Sequence, residues 1–128
     1  MCAQYRRSVP AVPSVPIQDS VLEKQIVYVE ENYREDISLR SAAQAIGYNK
    51  SYLSRQLHQA IPMNFRSFVN FQRIQYVCRQ IRVEKRSLTE LALASGFQSL
   101  RSFNRAFQEF MNMPPRQYLS RFEPPYSP

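Results

Sequence analysis

Ser38-Leu39-Arg40-Ser41-Ala42-Ala43-Gln44-Ala45-Ile46-Gly47-Tyr48 returns 49 residues later as Ser87-Leu88-Thr89-Glu90-Leu91-Ala92-Leu93-Ala94-Ser95-Gly96-Phe97. Each copy opens on a serine, whose side-chain oxygen accepts a hydrogen bond from the first turn of a helix. Each closes on a glycine, which takes the positive φ that a chain needs when it leaves one helix for another. Past the glycines the match continues at an offset of 50: Arg55 with Arg105, Leu57 with Phe107, Met63 with Met113, Arg66 with Arg116, Phe68 with Tyr118. One residue has therefore been inserted between Phe97 and Phe103. Both copies read as short helix, glycine turn, second helix, which is the helix-turn-helix pattern. Two copies are too few for a solenoid.

Working outward, the spacing predicts seven helices and an all-α fold. Asp19 or Ser20 caps a first helix with Leu22, Ile26, Val29 and Tyr33 on its buried stripe. Ser38 caps a second with Leu39, Ala42, Ala43 and Ile46 inward, and Asn49 caps a third over 50–60 with Leu53 and Leu57 inward. Asn64 precedes a long fourth helix over 65–83, whose stripe includes Phe65, Phe68, Val69, Ile74, Val77, Cys78 and Ile81. Ser87 and Glu90 form a capping box for a fifth, carrying Leu91, Ala92 and Ala94. Ser99 caps a sixth over 100–111 with Phe103 and Phe107 inward, and Pro114-Pro115 starts a short seventh with Tyr118, Leu119 and Phe122. Tyr48 and Phe97, each following a turn glycine, are expected in the core, as is Cys78. Residues 1–20 and 123–128, both proline-rich, read as tails around a domain over 21–122.

Composition narrows the function. The chain's 128 residues make room for one such domain, and 44% are hydrophobic, ordinary for a packed unit. Two glycines leave no material for a Rossmann fingerprint or a Walker loop. One histidine and two cysteines are too few for a His/Cys zinc site, so neither a metal nor any other cofactor is expected, and no catalytic set is evident. His58 reads as a surface residue. No apolar run reaches the roughly 18 residues that span a bilayer, no signal peptide is evident, and the cysteines form no disulfide framework. The expectation is a cytoplasmic protein without a membrane partner.

Charge is unevenly placed. The formal net is +7, from 17 Lys and Arg against 10 Asp and Glu. Residues 21–36 carry −3, whereas 37–122 carry +10, with 13 basic residues against Glu84, Glu90 and Glu109. On charge alone, a polyanion partner and a solvated basic face that binds nothing are equal readings.

In a helix-turn-helix unit the second helix enters the DNA major groove. With Leu53 and Leu57 inward, Ser51, Ser54, Arg55 and His58 lie elsewhere on the third helix; with Phe103 and Phe107 inward, Leu100, Arg101, Asn104 and Arg105 face out on the sixth. Arginine pairs with guanine and asparagine with adenine, each for about 1–3 kcal/mol of discrimination, and Leu100 suits a thymine methyl. Arg55 and Arg105 have a second reading, bracing their motifs by ion pairing. Tyr52 fits either an inward position or a phosphate contact. The linking helix spans roughly 28 Å at 1.5 Å per residue, close to the roughly 34 Å of one DNA turn. A monomer therefore suffices to place both reading helices in successive grooves, on an asymmetric site. Oligomeric state is left open.

These residues resemble the C-terminal DNA-binding domain of the AraC/XylS family of bacterial transcription regulators. The resemblance covers about 21–122 and rests in the first unit on Ser38-Leu39, Ala42-Ala43, Ile46-Gly47-Tyr48, Ser51-Tyr52-Leu53-Ser54-Arg55 and Phe65. In the second it rests on Arg73-Ile74, Leu91-Ala92, Ser95-Gly96-Phe97, Phe103-Asn104-Arg105-Ala106-Phe107 and Pro114-Pro115-Arg116-Gln117-Tyr118. It implies seven helices, two helix-turn-helix units on a long linking helix, sequence-specific binding of double-stranded DNA, and no enzymatic activity. It also implies that Ser51, Ser54, Arg55, Leu100, Arg101, Asn104 and Arg105 face the groove. Arg40, Asn49, Lys50, Tyr52, Ser99 and Arg116 are the phosphate-contact candidates beside them. The sequence departs from the family at Pro62, where glycine is usual, near Val77, where a small residue is common, and at Leu119, where a basic residue is frequent. Asn112 keeps a residue able to take positive φ at the place matching Pro62. Two other readings remain: a basic helical protein-interaction module, touching RNA polymerase or a larger regulator through the acidic first helix, and a fragment of an effector-responsive regulator whose linker is residues 1–19.

Overall fold

A computed structural model describes residues 20–83 and 85–121. The two proline-rich tails, Asp19 and Phe122 lie outside the described residues. Within them the chain forms seven helices and no strand: α1 Ser20–Asn32, α2 Leu39–Ile46, α3 Lys50–Ala60, α4 Phe65–Val83, α5 Leu88–Ala94, α6 Leu100–Met111 and α7 Pro115–Ser120. The all-α expectation is met, with α4 linking two units of the same build. Ser20 is the first helical residue rather than a cap.

Local chemistry sets the helix ends. Ser41 donates its backbone N–H to the Ser38 hydroxyl at 3.1 Å and accepts the Ser38 N–H on its own hydroxyl at 2.9 Å. Ser87 and Glu90 make the same reciprocal pair, at 3.0 and 3.1 Å. Each box satisfies two N–H groups that a helix start leaves unpaired. Asn49, Asn64 and Ser99 accept the N–H groups of Tyr52, Ser67 and Ser102 at the heads of α3, α4 and α6. Gly47 ends α2 at φ +93°, and Gly96 stands one residue past the cap of α5 at φ +113°. α6 ends on Asn112 at φ +58°, whereas α3 ends on Ile61 in extended backbone, at φ −134°. Pro62 thus follows a turn that needs no positive φ.

Two cores form, one per unit. The first gathers Val29 from α1, Ala42 and Ala43 from α2, Leu53 and Leu57 from α3, and Phe65, Phe68 and Val69 from the start of α4. The second gathers Ile74, Val77, Cys78 and Ile81 from the rest of α4 with Leu91, Phe97, Phe103, Phe107 and Tyr118. Burying a side chain of this size contributes about 2 kcal/mol. In the second core Phe97, Phe103, Phe107 and Tyr118 form a chain of edge-to-face rings with centroids 5.5–5.7 Å apart, the arrangement that aromatic quadrupoles favour.

The burial pattern departs from the sequence stripes in three places. Val21 and Gln25 are buried on α1, and Gln25 donates to the Leu53 carbonyl at 3.1 Å, tying α1 to α3. α4 buries Gln72, Arg73, Gln75 and Tyr76 besides its apolar stripe, because it packs against α1, α5 and α6. Tyr48 is a correction: it stands 41% exposed, whereas Phe97 is 3% exposed.

One polar joint ties the units together. The Arg73 guanidinium donates to the carbonyls of Tyr33 at 2.7 Å and Glu35 at 2.9 Å, across the α1–α2 connection. Arg34 in that connection donates to the Ala94 carbonyl at the end of α5, at 2.9 Å, and lies over the Tyr76 ring at 4.5 Å. Gly96 closes the joint: a Cβ there would meet the Tyr33 carbonyl oxygen at 2.6 Å and Arg73 Nε at 2.7 Å.

Candidate nucleic-acid interface

The turns before α3 and α6 determine what each helix offers. Leu53 and Leu57 are fully buried on α3, which turns Ser51 and Arg55 into solvent and leaves Ser54 half-buried at a cleft edge. Phe103, Ala106 and Phe107 are buried on α6, which turns Arg101, Asn104 and Arg105 into solvent. Leu100, at the head of α6, is 43% exposed. Every residue read from the sequence as groove-facing thus reaches solvent in whole or part. His58 is exposed and Cys78 is buried, both as expected.

The flanking residues divide by what they already do. Arg40, Lys50 and Arg116 are exposed. Asn49 and Ser99 are exposed too, but their side-chain oxygens cap α3 and α6. Tyr52 is half-buried, and its ring stacks on exposed Tyr48, with centroids 5.4 Å apart and planes 29° from parallel. Arg55 carries its guanidinium carbon 5.9 Å from the Tyr52 ring, a cation–π contact that draws it toward the head of α3.

Beside each of α3 and α6 lies an open cleft, and the two clefts repeat one another. The first, about 260 Å³, is lined by Leu39, Ser54, Asn64, Phe65 and Arg66 among others. The second, about 360 Å³, is lined by Leu88, Asn104, Pro114, Pro115 and Arg116, their repeat mates. Arg66 is therefore placed in the first unit as Arg116 is in the second. Sequence reasoning nominated Arg116 and passed over Arg66, although the offset of 50 that pairs them held the signal.

Burial pushes the Arg73 guanidinium below its ordinary pKa; Asp36 opposes that fall and Arg66 adds to it. Among the described residues no cluster of His, Cys, Asp and Glu is suited to a metal ion, and no helix is long and apolar enough to cross a membrane.

Comparison with known proteins agrees with this fold. The family described as helix-turn-helix domain matches residues 42–121. An uncharacterised HTH-type transcriptional regulator of Staphylococcus aureus strain MSSA476 is 29% identical over 102 residues, which cover 80% of this chain and 14% of that protein. The chain thus spans about a seventh of that relative's length. Among solved structures, the C-terminal domain of AraT, a response regulator from Geobacillus stearothermophilus, superposes with a TM-score of 0.76 at 22% identity, over 85% of this chain and 92% of that one. A transcriptional regulator of Chromobacterium violaceum, described as containing an AraC-type DNA-binding domain, gives 0.75 at 20% identity, over 84% and 96%. At these identities the two structures establish the shared fold.

Proposed function

Because this chain belongs to the AraC-type helix-turn-helix family, we propose that it acts as a sequence-specific transcription regulator that inserts α3 and α6 into successive major grooves of one duplex. The observation that carries this reading is the paired exposure of polar and basic residues on two helices held by equivalent turns. Ser51, Ser54 and Arg55 read one half-site; Leu100, Arg101 and Asn104 read the other. Arg40, Lys50 and Arg116, with the capped heads of α3 and α6 and the Tyr52 hydroxyl, hold phosphates. Phosphate contacts supply most of the affinity and its salt dependence, and the reading helices supply the choice of site. One protomer covers both half-sites. The work is non-enzymatic, and a duplex-DNA partner puts it in the bacterial cytoplasm.

The test is selection of bound duplexes from a randomised pool of about 25 base pairs at near-physiological salt. Two unlike half-motifs one helical turn apart are expected. Arg55→Ala should relax preference at one end and Arg101→Ala at the other, by about 1–3 kcal/mol at the affected base pair. Equal loss on all sequences from both changes overturns the assignment of roles. Enrichment of a single half-motif overturns the two-groove reading.

A further inference from the structure

A third cleft lies on the side of α6 that faces α4. It measures about 290 Å³ and opens between the first half of α4 and the exposed side of α6. Arg66, Ser67 and Asn70 line it from α4, with Ser102 and Arg105 from α6. Arg66 and Asn70 also line the cleft beside α3, next to Ser54. One polar stripe on α4 therefore runs from the flank of α3 to the flank of α6.

The chemistry of this groove is that of an anion site. Arg73 lines it as well, but its guanidinium is held by the carbonyls of Tyr33 and Glu35. Arg66 and Arg105 are exposed and face a groove whose lining carries one carboxylate, Glu109. Arg66 stands close enough for its charge to disfavour the buried Arg73 cation, and an anion between Arg66 and Arg105 relieves that crowding. When two helices enter successive major grooves on one DNA face, the minor groove between them turns toward the protein. The phosphates on its rims then lie against the surface that joins the two helices.

We propose that this groove holds the sugar–phosphate strand between the two half-sites, with Arg66 and Arg105 pairing its phosphates and Ser67 and Asn70 donating hydrogen bonds to them. The proposal rests on the two-groove reading above. It assigns Arg105 to the backbone, unlike its repeat mate Arg55, and it adds Arg66, Ser67 and Asn70 to the interface. Guanidinium groups suit this task because they meet phosphate oxygens with paired, charge-assisted hydrogen bonds.

Salt titration of binding to the selected duplex tests it. Arg66→Ala and Arg105→Ala should each weaken binding about tenfold and lower the slope of log affinity against log salt by about 1, with every base preference intact. Arg66→Lys should keep the slope. Replacing phosphates between the half-motifs by uncharged methylphosphonates should weaken the wild-type protein more than Arg66→Ala, which keeps only the Arg105 side of the contact. The same replacement outside the half-motifs should weaken both. Unchanged melting of Arg66→Ala, whose side chain is exposed, separates lost contact from lost fold. An unchanged slope, equal sensitivity of both proteins to the central methylphosphonates, or a new base preference between the half-motifs overturns the proposal. Failure of the two-groove reading looks different: the wild-type protein then enriches no paired motif. The Arg66→Ala slope measured on a mixed-sequence duplex still decides whether the groove holds phosphate.

Discussion

Gly47 and Gly96 stand at equivalent places in the two units and meet opposite surroundings. Both take positive φ, +93° and +113°. A Cβ at Gly47 would meet nothing within 4 Å. At Gly96 it would strike the Tyr33 carbonyl, Arg73 Nε at 2.7 Å, and Arg34 Cα at 3.0 Å. The residues that follow differ in the same sense: Tyr48 is exposed and stacked on Tyr52, while Phe97 is buried under the Arg73 guanidinium, 5.6 Å from its ring. The first turn serves only its own motif. The second also receives the α1–α2 connection, and so fixes one unit against the other. A regulator reading two grooves with one protomer requires such a joint, because free rotation between units leaves their spacing on DNA undefined.

The largest expected difference between the turns lies in those aromatics. Phe97→Ala removes a buried ring and leaves a cavity, which costs about 3–5 kcal/mol. Tyr48→Ala loses one partly exposed stacking contact, about 0.5–1 kcal/mol. Urea unfolding of both variants checks this. Losses of similar size show that Tyr48 is a core residue and that the two turns are alike.

This pair also marks where the sequence stops being legible. The helices and their caps are visible because each rests on residues within four positions of one another, Ser38 with Ser41, Ser87 with Glu90, Leu53 with Leu57, and the repeat is visible because these short patterns recur 49 and 50 residues apart. The outward sets on α3 and α6 follow from the same short periodicity. Tyr48 and Phe97 occupy matching places, so pattern alone puts both in the core. What separates them is the α1–α2 connection, which covers one turn and leaves the other open. Arg73 bonds carbonyls 40 and 38 residues away, and no local spacing announces such partners. Periodicity is silent for the same reason on Gln72, Gln75 and Tyr76, because a helix contacted by both units is buried on more than one stripe. Arg66 is a different omission: the repeat had already matched it to Arg116.

The glycines themselves come next in size. Gly96→Ala adds a methyl group against backbone atoms as well as the strain of a positive φ, about 3 kcal/mol together. Gly47→Ala meets the backbone strain alone, about 1 kcal/mol. Thermal melting distinguishes them, since about 1 kcal/mol moves the midpoint of a domain this size by roughly 4–8 °C. Equal shifts for the two variants mean that the α1–α2 connection does not press on the second turn. Gly96→Ala should also broaden the spacing accepted between half-motifs, and Gly47→Ala should not.

The smallest contrast lies past the reading helices, where the units end differently. α6 turns on Asn112 at φ +58°, and α3 turns through Ile61 and Pro62 without any positive φ. Asn112→Gly should be neutral or slightly stabilising, because glycine meets no steric cost in the left-handed region. Pro62→Gly should destabilise by about 0.5–1 kcal/mol, because it frees the unfolded chain without relieving anything in the folded one. The usual family residue would therefore be the worse choice at position 62 and an acceptable one at 112. Stabilisation by Pro62→Gly means that proline strains the turn after α3. In that case the difference between the two units at this point is a tolerated defect, and the first unit's reading helix should gain affinity for its half-site when the strain is removed.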